Sequence, residues 1–497
     1  MSVPGAKPFA IEEASIADIH AALRSGATTV VAIVKACLDR IEAYDKRGPA
    51  LGLVMAINPR ALAEAAALDD AYRKAGELIG PMHGVPLLVK DNYDVAGLPT
   101  TGGSAALNGW MPTTDATIVR KLRAAGAIVI AKVTMSEWAR GGLDNINSVL
   151  PGFARNPYNT AYATGGSSGG TGGGIAASYG VVGLGSDTWG SIRNPSSNNA
   201  LTGLRPSWGL VSRAGMIGLY SNRDTAGPMT RTLTDLAKTL DVIAGEDAAD
   251  PGSSGVARRA PASYVDFLRA DGARGKRIGV LRQAFPPGAS DPAVTALVEK
   301  AIADLRAMGA EIIDPLEIPE FAQHPPRPHP ESEVRAALER YLVTTGPGYP
   351  KTVKELVATG KFHPLHENGL KSLRDAPAPA DDPVVHQLEA DEAEMRAAYL
   401  AAMDKAAVDV LIMPTASYPP KLNGDRNTTP TGTTTWIASS LHWPALVVPM
   451  GYTGEDLPSG LQFLGRLWSD STLIEIGYAY EQATRHRKPP VSAPPLS

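Results

Sequence analysis

Cysteine is almost absent. The chain of 497 residues has one, Cys37, which excludes an intramolecular disulfide and any cysteine-based metal cluster. Long apolar runs are missing too. No stretch reaches about 18 uninterrupted apolar residues, so no membrane span is expected. The opening segment, Met1-Ser-Val-Pro-Gly-Ala-Lys7, holds no apolar signal core, and the expected location is the cytoplasm. An excess of either charge is also lacking: 47 Lys and Arg face 51 Asp and Glu, a formal charge of −4. That balance argues against a bulk electrostatic fit, so no nucleic-acid partner is expected. No internal repeat is visible. The histidines show neither His-Glu-x-x-His nor another metal-binding spacing, so no metal is expected.

Glycine, at 50, and proline, at 41, are plentiful without forming a low-complexity tract. They predict many turns and close backbone approaches. Hydrophobic residues at 44% and charged residues at 20% are ordinary globular values. Length alone suggests about three domains, but one wide α/β sheet can serve a single long core. Ser15, with Asp18 three residues on, predicts a capped helix start. Helical periodicity continues over 29–44 and 59–76. Gly84-Val-Pro-Leu-Leu-Val-Lys-Asp91 reads as a buried strand, 115–125 as a helix and 127–133 as a strand. Further helices are predicted over 232–244, 291–308, 385–407 and 470–484. Strands are predicted over 277–282, 311–314, 408–414, 445–449 and 460–465. The alternation implies an α/β fold with a wide mixed β-sheet covered by helices on both faces. Residues 316–385 change character, with Pro-rich runs such as His324-Pro-Pro-Arg-Pro-His-Pro330. They read as a surface insertion, with helices of its own, that shapes the substrate pocket of a single domain spanning 1–497.

Three segments carry chemistry. Lys90-Asp91 ends an apolar strand, where a lysine is most often a snorkelling surface residue. Gly165-Gly-Ser-Ser-Gly-Gly170 offers a concave loop of backbone N–H groups. A linker or a phosphate cradle is the plainer reading, but the Gly-Lys-Ser/Thr ending of a Walker loop is missing. Gly185-Ser-Asp-Thr-Trp-Gly-Ser-Ile-Arg-Asn-Pro195 places Ser191 after a tight turn. Gly166-Ser-Ser-Gly-Gly170 fits a nucleophile elbow loosely, through Ser168.

Together these segments resemble the amidase signature family. Thr134-Met-Ser-Glu-Trp-Ala139, Gly203-Leu-Arg-Pro-Ser-Trp-Gly-Leu-Val-Ser-Arg213, Gly227-Pro-Met-Thr-Arg-Thr232 and Gly460-Leu-Gln-Phe-Leu-Gly-Arg466 extend the likeness over nearly the whole chain. Within the family the pattern is most similar to bacterial peptide amidases and aryl acylamidase-type members. The resemblance implies a Ser–cis-Ser–Lys triad with Ser191 as nucleophile, Ser167 as bridging serine and Lys90 as base. It implies an oxyanion hole from the backbone of Thr188, Trp189, Gly190 and Ser191. It gives Ser168, Gly166, Asp187 and Arg193 supporting roles. Met135 and Trp189 are the candidate substrate contacts. Trp189 stands where many relatives have glycine, and its ring either lines the pocket or packs beneath the loop.

The chemistry is coherent. A serine hydroxyl is a weak nucleophile until a neighbouring base takes its proton. Lysine can be that base only when burial keeps it neutral. The expected activity is hydrolysis of carboxamide C–N bonds through an acyl-enzyme, with no cofactor. The expected substrate is a small amide with an apolar or aryl group near the scissile bond, with carbamates or esters also possible. A monomer or homodimer is expected. Two alternatives stand beside it: the amidase subunit of a tRNA-dependent amidotransferase, and a non-catalytic binding protein on the same fold.

Overall fold

The computed structural model describes residues 9–140, 150, 152–425 and 432–496. The Met1–Lys7 segment, read above for a signal, lies outside them. Among the described residues eleven strands form one mixed sheet. They are β1 Val54–Ile57, β2 Pro86–Lys90, β3 Ile128–Val133, β4 Val182–Asp187, β5 Thr202–Arg205 and β6 Thr225–Thr230, then β7 Arg277–Val280, β8 Glu311–Ile313, β9 Val410–Pro414, β10 Ala445–Tyr452 and β11 Pro458–Gly465. Their order is β1-β3-β2-β4-β6-β5-β10-β11-β9-β7-β8. β2 runs parallel to both β3 and β4, whereas β4 and β6 are antiparallel.

Helices cover both faces, and strand alternation shows which face each one takes. Gly203 pairs with Val447, and a Cβ on Gly203 would lie 2.0 Å from Ser196 of the helix Arg193–Asn198. Leu446 and Val448 point the other way, onto Gly477 of the helix Asp470–Thr484. The central strands β2, β4 and β9 are buried along their whole length, as a sheet covered on both sides requires.

Local chemistry set several boundaries where the sequence placed them. Ser15 and Asp18 form a reciprocal capping box at the helix Ile16–Ser25. Asp291 caps Pro292–Ala307, with proline in the first turn. Cys37 is buried on the helix Val30–Arg40.

The segment 316–385 folds into the helices Glu331–Leu342, Val353–Thr359 and Glu367–Asp375. They carry a hydrophobic cluster of their own: Leu338, Leu342, Val353, Leu356, Leu370 and Leu373 close over Leu107, Trp138, Ile217 and Leu219. Tyr341 ties this layer to the sheet domain. Its hydroxyl donates to Asp94 Oδ1 at 2.6 Å and accepts from Trp110 Nε1 at 3.1 Å.

Candidate active site

Lys90 is the last residue of β2 and is fully buried. The Leu88 side chain, two residues earlier on the same face, packs on Gly174 of the helix Gly169–Ala176. Alternation therefore aims Lys90 at the loop that opens this helix. Its Nζ donates to Ser167 Oγ at 2.7 Å and to Ser186 Oγ at 2.8 Å. Burial pulls its pKa down to about 7, against the attraction of the Asp187 and Asp224 carboxylates. Lys90 is thus no snorkelling residue but an amine poised to be neutral near pH 7. The Gly166–Ser167 peptide bond is cis.

The loop carrying Ser191 leaves the end of β4. Asp187, fully buried, anchors it: its carboxylate accepts from Arg193 Nε and Nη2, each at 3.0 Å, from Arg205 Nη1 at 3.1 Å and from the Ile192 N–H at 3.1 Å. Burial pushes the Asp187 carboxyl up, yet the two guanidinium groups outweigh it and hold the pKa well below the usual carboxylate range. Thr188 Oγ1 donates to Asp224 Oδ1 at 2.5 Å. Gly190 has φ +138°, and a Cβ there would meet Thr435 Oγ1 at 2.1 Å, so only glycine fits the turn. Thr435 donates its hydroxyl to the Trp189 carbonyl at 2.6 Å. The N–H groups of Trp189, Gly190 and Ser191 have no acceptor among the described residues. The Ser168 N–H donates to the Ser191 carbonyl at 3.3 Å, which joins the two serine loops.

Ser191 and Thr188 open onto a cavity of ≈ 420 Å³. Trp189, Leu219 and Val334 supply apolar wall, Pro326, Pro328 and His329 come from the Pro-rich segment, and Arg140 and Glu331 face each other at the wall. These last two form a two-bond ion pair with both N–O distances at 2.9 Å. Trp189 both lines the cavity and packs, so the two readings of its ring are not exclusive. Arg223 Cζ lies 4.9 Å from the ring centroid, and the His329 ring stands perpendicular to the indole, 5.2 Å away centroid to centroid.

Met135 is buried and does not line this cavity. Its segment supports the serine loop from behind: the Ser136 N–H donates to the Ser167 carbonyl at 3.2 Å and the Gly170 N–H to the Thr134 carbonyl at 2.9 Å. Asp91, beside Lys90, turns away from the serines to pair with buried Lys132 at 3.0 Å. Ser168 braces the Ser186 backbone, its Oγ donating to the Ser186 carbonyl at 3.3 Å. Sequence reasoning missed Ser186 and Asn92. Asn92 Nδ2 donates to Ser186 Oγ at 3.0 Å, so this hydroxyl is a second acceptor for Lys90 held in place by an amide. The signal that could have found it was position: Ser186 lies beside Asp187 at the end of β4, next to β2 in the sheet. Among the described residues no three His, Cys, Asp or Glu side chains converge as metal ligands. Nor is any helix among them long and apolar enough to cross a membrane.

Fold and comparisons together put the molecule in the class of α/β enzymes that hydrolyse amides. More narrowly, the chain belongs to the Amidase family, whose model matches residues 32–474. Among solved structures it is similar to the native peptide amidase from Stenotrophomonas maltophilia, with 36% identity, a TM-score of 0.85 and coverage of 96% of this chain and 98% of that one. An amidase family protein from Bacillus anthracis matches at 29% identity and TM-score 0.84, over 96% and 92%. Among curated sequences, a glutamyl-tRNA(Gln) amidotransferase subunit from Moorella thermoacetica is 33% identical, over 92% of this chain and 93% of its own length.

Proposed function

We propose that the protein hydrolyses amides through an acyl-enzyme on Ser191, with Lys90 as base and Ser167 as proton relay. One observation carries this reading: a fully buried lysine amine 2.7 Å from the Ser167 hydroxyl. Neutral Lys90 takes the Ser167 proton as Ser167 takes that of Ser191. Ser191 Oγ bonds to the substrate carbonyl carbon, and the oxygen gains negative charge. The uncommitted N–H groups of the 189–191 turn, with that of Thr188, are the donors for that charge, the kind of contact worth ~3 kcal/mol per donor when lost. The C–N bond then breaks as Ser167 returns a proton to the leaving nitrogen. Water, activated by the same relay, releases the acid and restores Ser191. Asp187 and Arg193 hold the loop, while Gly166 and Ser168 serve the fold of the relay.

The cavity supports an apolar or aryl substituent beside the scissile bond, because Trp189, Leu219, Val334 and two prolines form much of its wall. Each methylene covered is worth roughly 0.8 kcal/mol. Aryl esters and carbamates fit the same acyl step. A fluorophosphonate probe followed by peptide mass mapping tests the nucleophile: labelling at Ser191 is expected, and labelling at Ser168 instead would overturn the assignment. A panel of anilides, peptide amides, aliphatic amides, carbamates and aryl esters then orders the substrates.

A second reading is favoured by the curated relatives, which are named as glutamyl-tRNA(Gln) amidotransferase subunits. In that case the chain would release ammonia from glutamine for a complex that also handles tRNA. Turnover of anilides by the isolated chain, with negligible glutaminase activity, separates the free amidase from the amidotransferase component. We assign the isolated chain, as monomer or homodimer, the free-amidase role and no nucleic-acid partner.

A further inference from the structure

Trp189 is the one bulky side chain in the turn before Ser191, and two residues from elsewhere in the sequence hold its ring. Its backbone has no room to adjust. The carbonyl is bound by Thr435, and Gly190, next in line, sits against the same threonine. The remaining freedom is rotation of the indole. On one face lies the Arg223 guanidinium, 4.9 Å from the ring centroid. The His329 imidazole stands 5.2 Å away, centroid to centroid, and perpendicular to the indole at 88°.

Both neighbours are themselves fixed. Arg223 is buried, and its Nε donates to Glu392 Oε1 at 2.6 Å. Glu392 is held in turn by His442 Nε2 at 3.1 Å. The Arg223 carbonyl accepts from Arg205 Nη2 at 2.8 Å, which links it to the pair that anchors the Ser191 loop. His329 lies between Pro328 and Pro330. Pro328 fixes its own φ, and Pro330 confines His329 to extended backbone. The imidazole Nδ1 is 3.4 Å from Arg223 Nη1, a guanidinium that can only donate, so Nδ1 accepts and the ring proton sits on Nε2. Burial and the charge of Arg223 both hold this imidazole neutral.

We infer that Arg223 and His329 are positioning residues that clamp the Trp189 indole across the cavity, and that this clamp sets the preference for aryl-bearing over small amides. The inference rests on the aryl-amidase reading above. It gives the segment 324–330 a definite task, since His329 brings the Pro-rich run to the ring beside Ser191. A planar cation over the face and a ring packed perpendicular to it are arrangements that an indole favours. A freed indole would swing, and the flat wall would be lost to substrates that need it.

The experiment measures kcat/KM for an anilide and for an aliphatic amide of the same acyl group, in the wild type, His329→Ala, His329→Phe, Trp189→Ala and the Trp189→Ala/His329→Ala double variant. His329→Ala is expected to lower the anilide-to-aliphatic ratio at least tenfold, chiefly through KM for the anilide. His329→Phe restores a ring contact and should recover most of that ratio. The double variant should show the ratio of Trp189→Ala alone, because the histidine acts through the indole. Equal loss on both substrates in His329→Ala marks a merely structural role and overturns the clamp. So does a ratio in the double variant that falls below that of Trp189→Ala by the full His329→Ala factor. If Trp189→Ala abolishes the preference while His329→Ala leaves it, the clamp fails and the aryl reading survives. A wild type without aryl preference overturns both.

Discussion

Lys90 is a buried amine that weighs against the stability of the fold. In the unfolded chain its amine titrates near the ordinary lysine value of 10.5, and in the fold near 7. Between those values the unfolded state binds the additional proton, so stability rises with pH across that window. Below it the full penalty of burying a charge-prone amine remains. Replacing the amine with an apolar chain of similar length removes that penalty, though each hydrogen bond lost costs about 1 kcal/mol. Lys90→Met should therefore raise the melting temperature at pH 6 by the equivalent of about 1–2 kcal/mol, and the gain should shrink as the pH approaches 10. Scanning calorimetry across that range reads both trends, and a lowered Tm at pH 6 would contradict them. Amide turnover in Lys90→Ala should fall by ~10²–10⁴-fold, the usual worth of a general base. In the wild type kcat/KM should drop as pH falls below about 7, where Lys90 becomes protonated. A flat profile from pH 5 to 8 would move the base elsewhere. Asp187 behaves oppositely: Asp187→Asn leaves Arg193 and Arg205 buried without a counter-charge and should cost about 3–5 kcal/mol, read by urea denaturation.

At the scale of elements, packing reverses what intrinsic propensity would say. The helix Gly169–Ala176 has five glycines in eight residues, and substitution of glycine by alanine in a helix normally stabilises by about 1 kcal/mol. A Cβ at Gly170, however, would lie 2.4 Å from the Thr134 nitrogen and 2.5 Å from its oxygen. These are backbone atoms and cannot step aside. Gly170→Ala should destabilise by about 1–3 kcal/mol and lower kcat, because this helix follows directly on Ser167 and Ser168. Normal stability and kcat in Gly170→Ala would show that the helix can shift freely. This same helix marks the limit of what the sequence made legible. Strands such as Pro86–Lys90 and Val410–Pro414, and capped helices such as Ile16–Ser25, follow from apolar runs and cap residues. The glycine helix and the short strands Thr202–Arg205 and Thr225–Thr230 have no such pattern, since contacts made far along the chain decide them. At the candidate site, Lys90, Ser167 and Ser191 could be singled out from the sequence because their motifs are contiguous. Arg223, His329 and Ser186 could not, because they reach the site only through tertiary packing.

At the scale of the whole molecule, the cavity is closed by a layer that has its own hydrophobic cluster, separate from that of the sheet. The two therefore need not loosen together. Leu342 is fully buried in that cluster, and Leu342→Ala should remove ~2–5 kcal/mol of local packing. Hydrogen exchange should speed up across 331–375 while the central strands keep their protection, and KM should rise more than kcat falls. Uniform loss of protection across the sheet would show instead that layer and sheet unfold as one body.

The lone thiol offers a way to watch that body. Cys37 is fully buried in the first core, away from the helical layer, and burial pushes its pKa up to about 12. Folded protein should be inert to a thiol-alkylating reagent, because both access and thiolate are withheld. Alkylation thus becomes a clock: under strong labelling its rate equals the rate at which the core around Cys37 opens. With a single cysteine in the chain, every adduct counted by mass is one opening event.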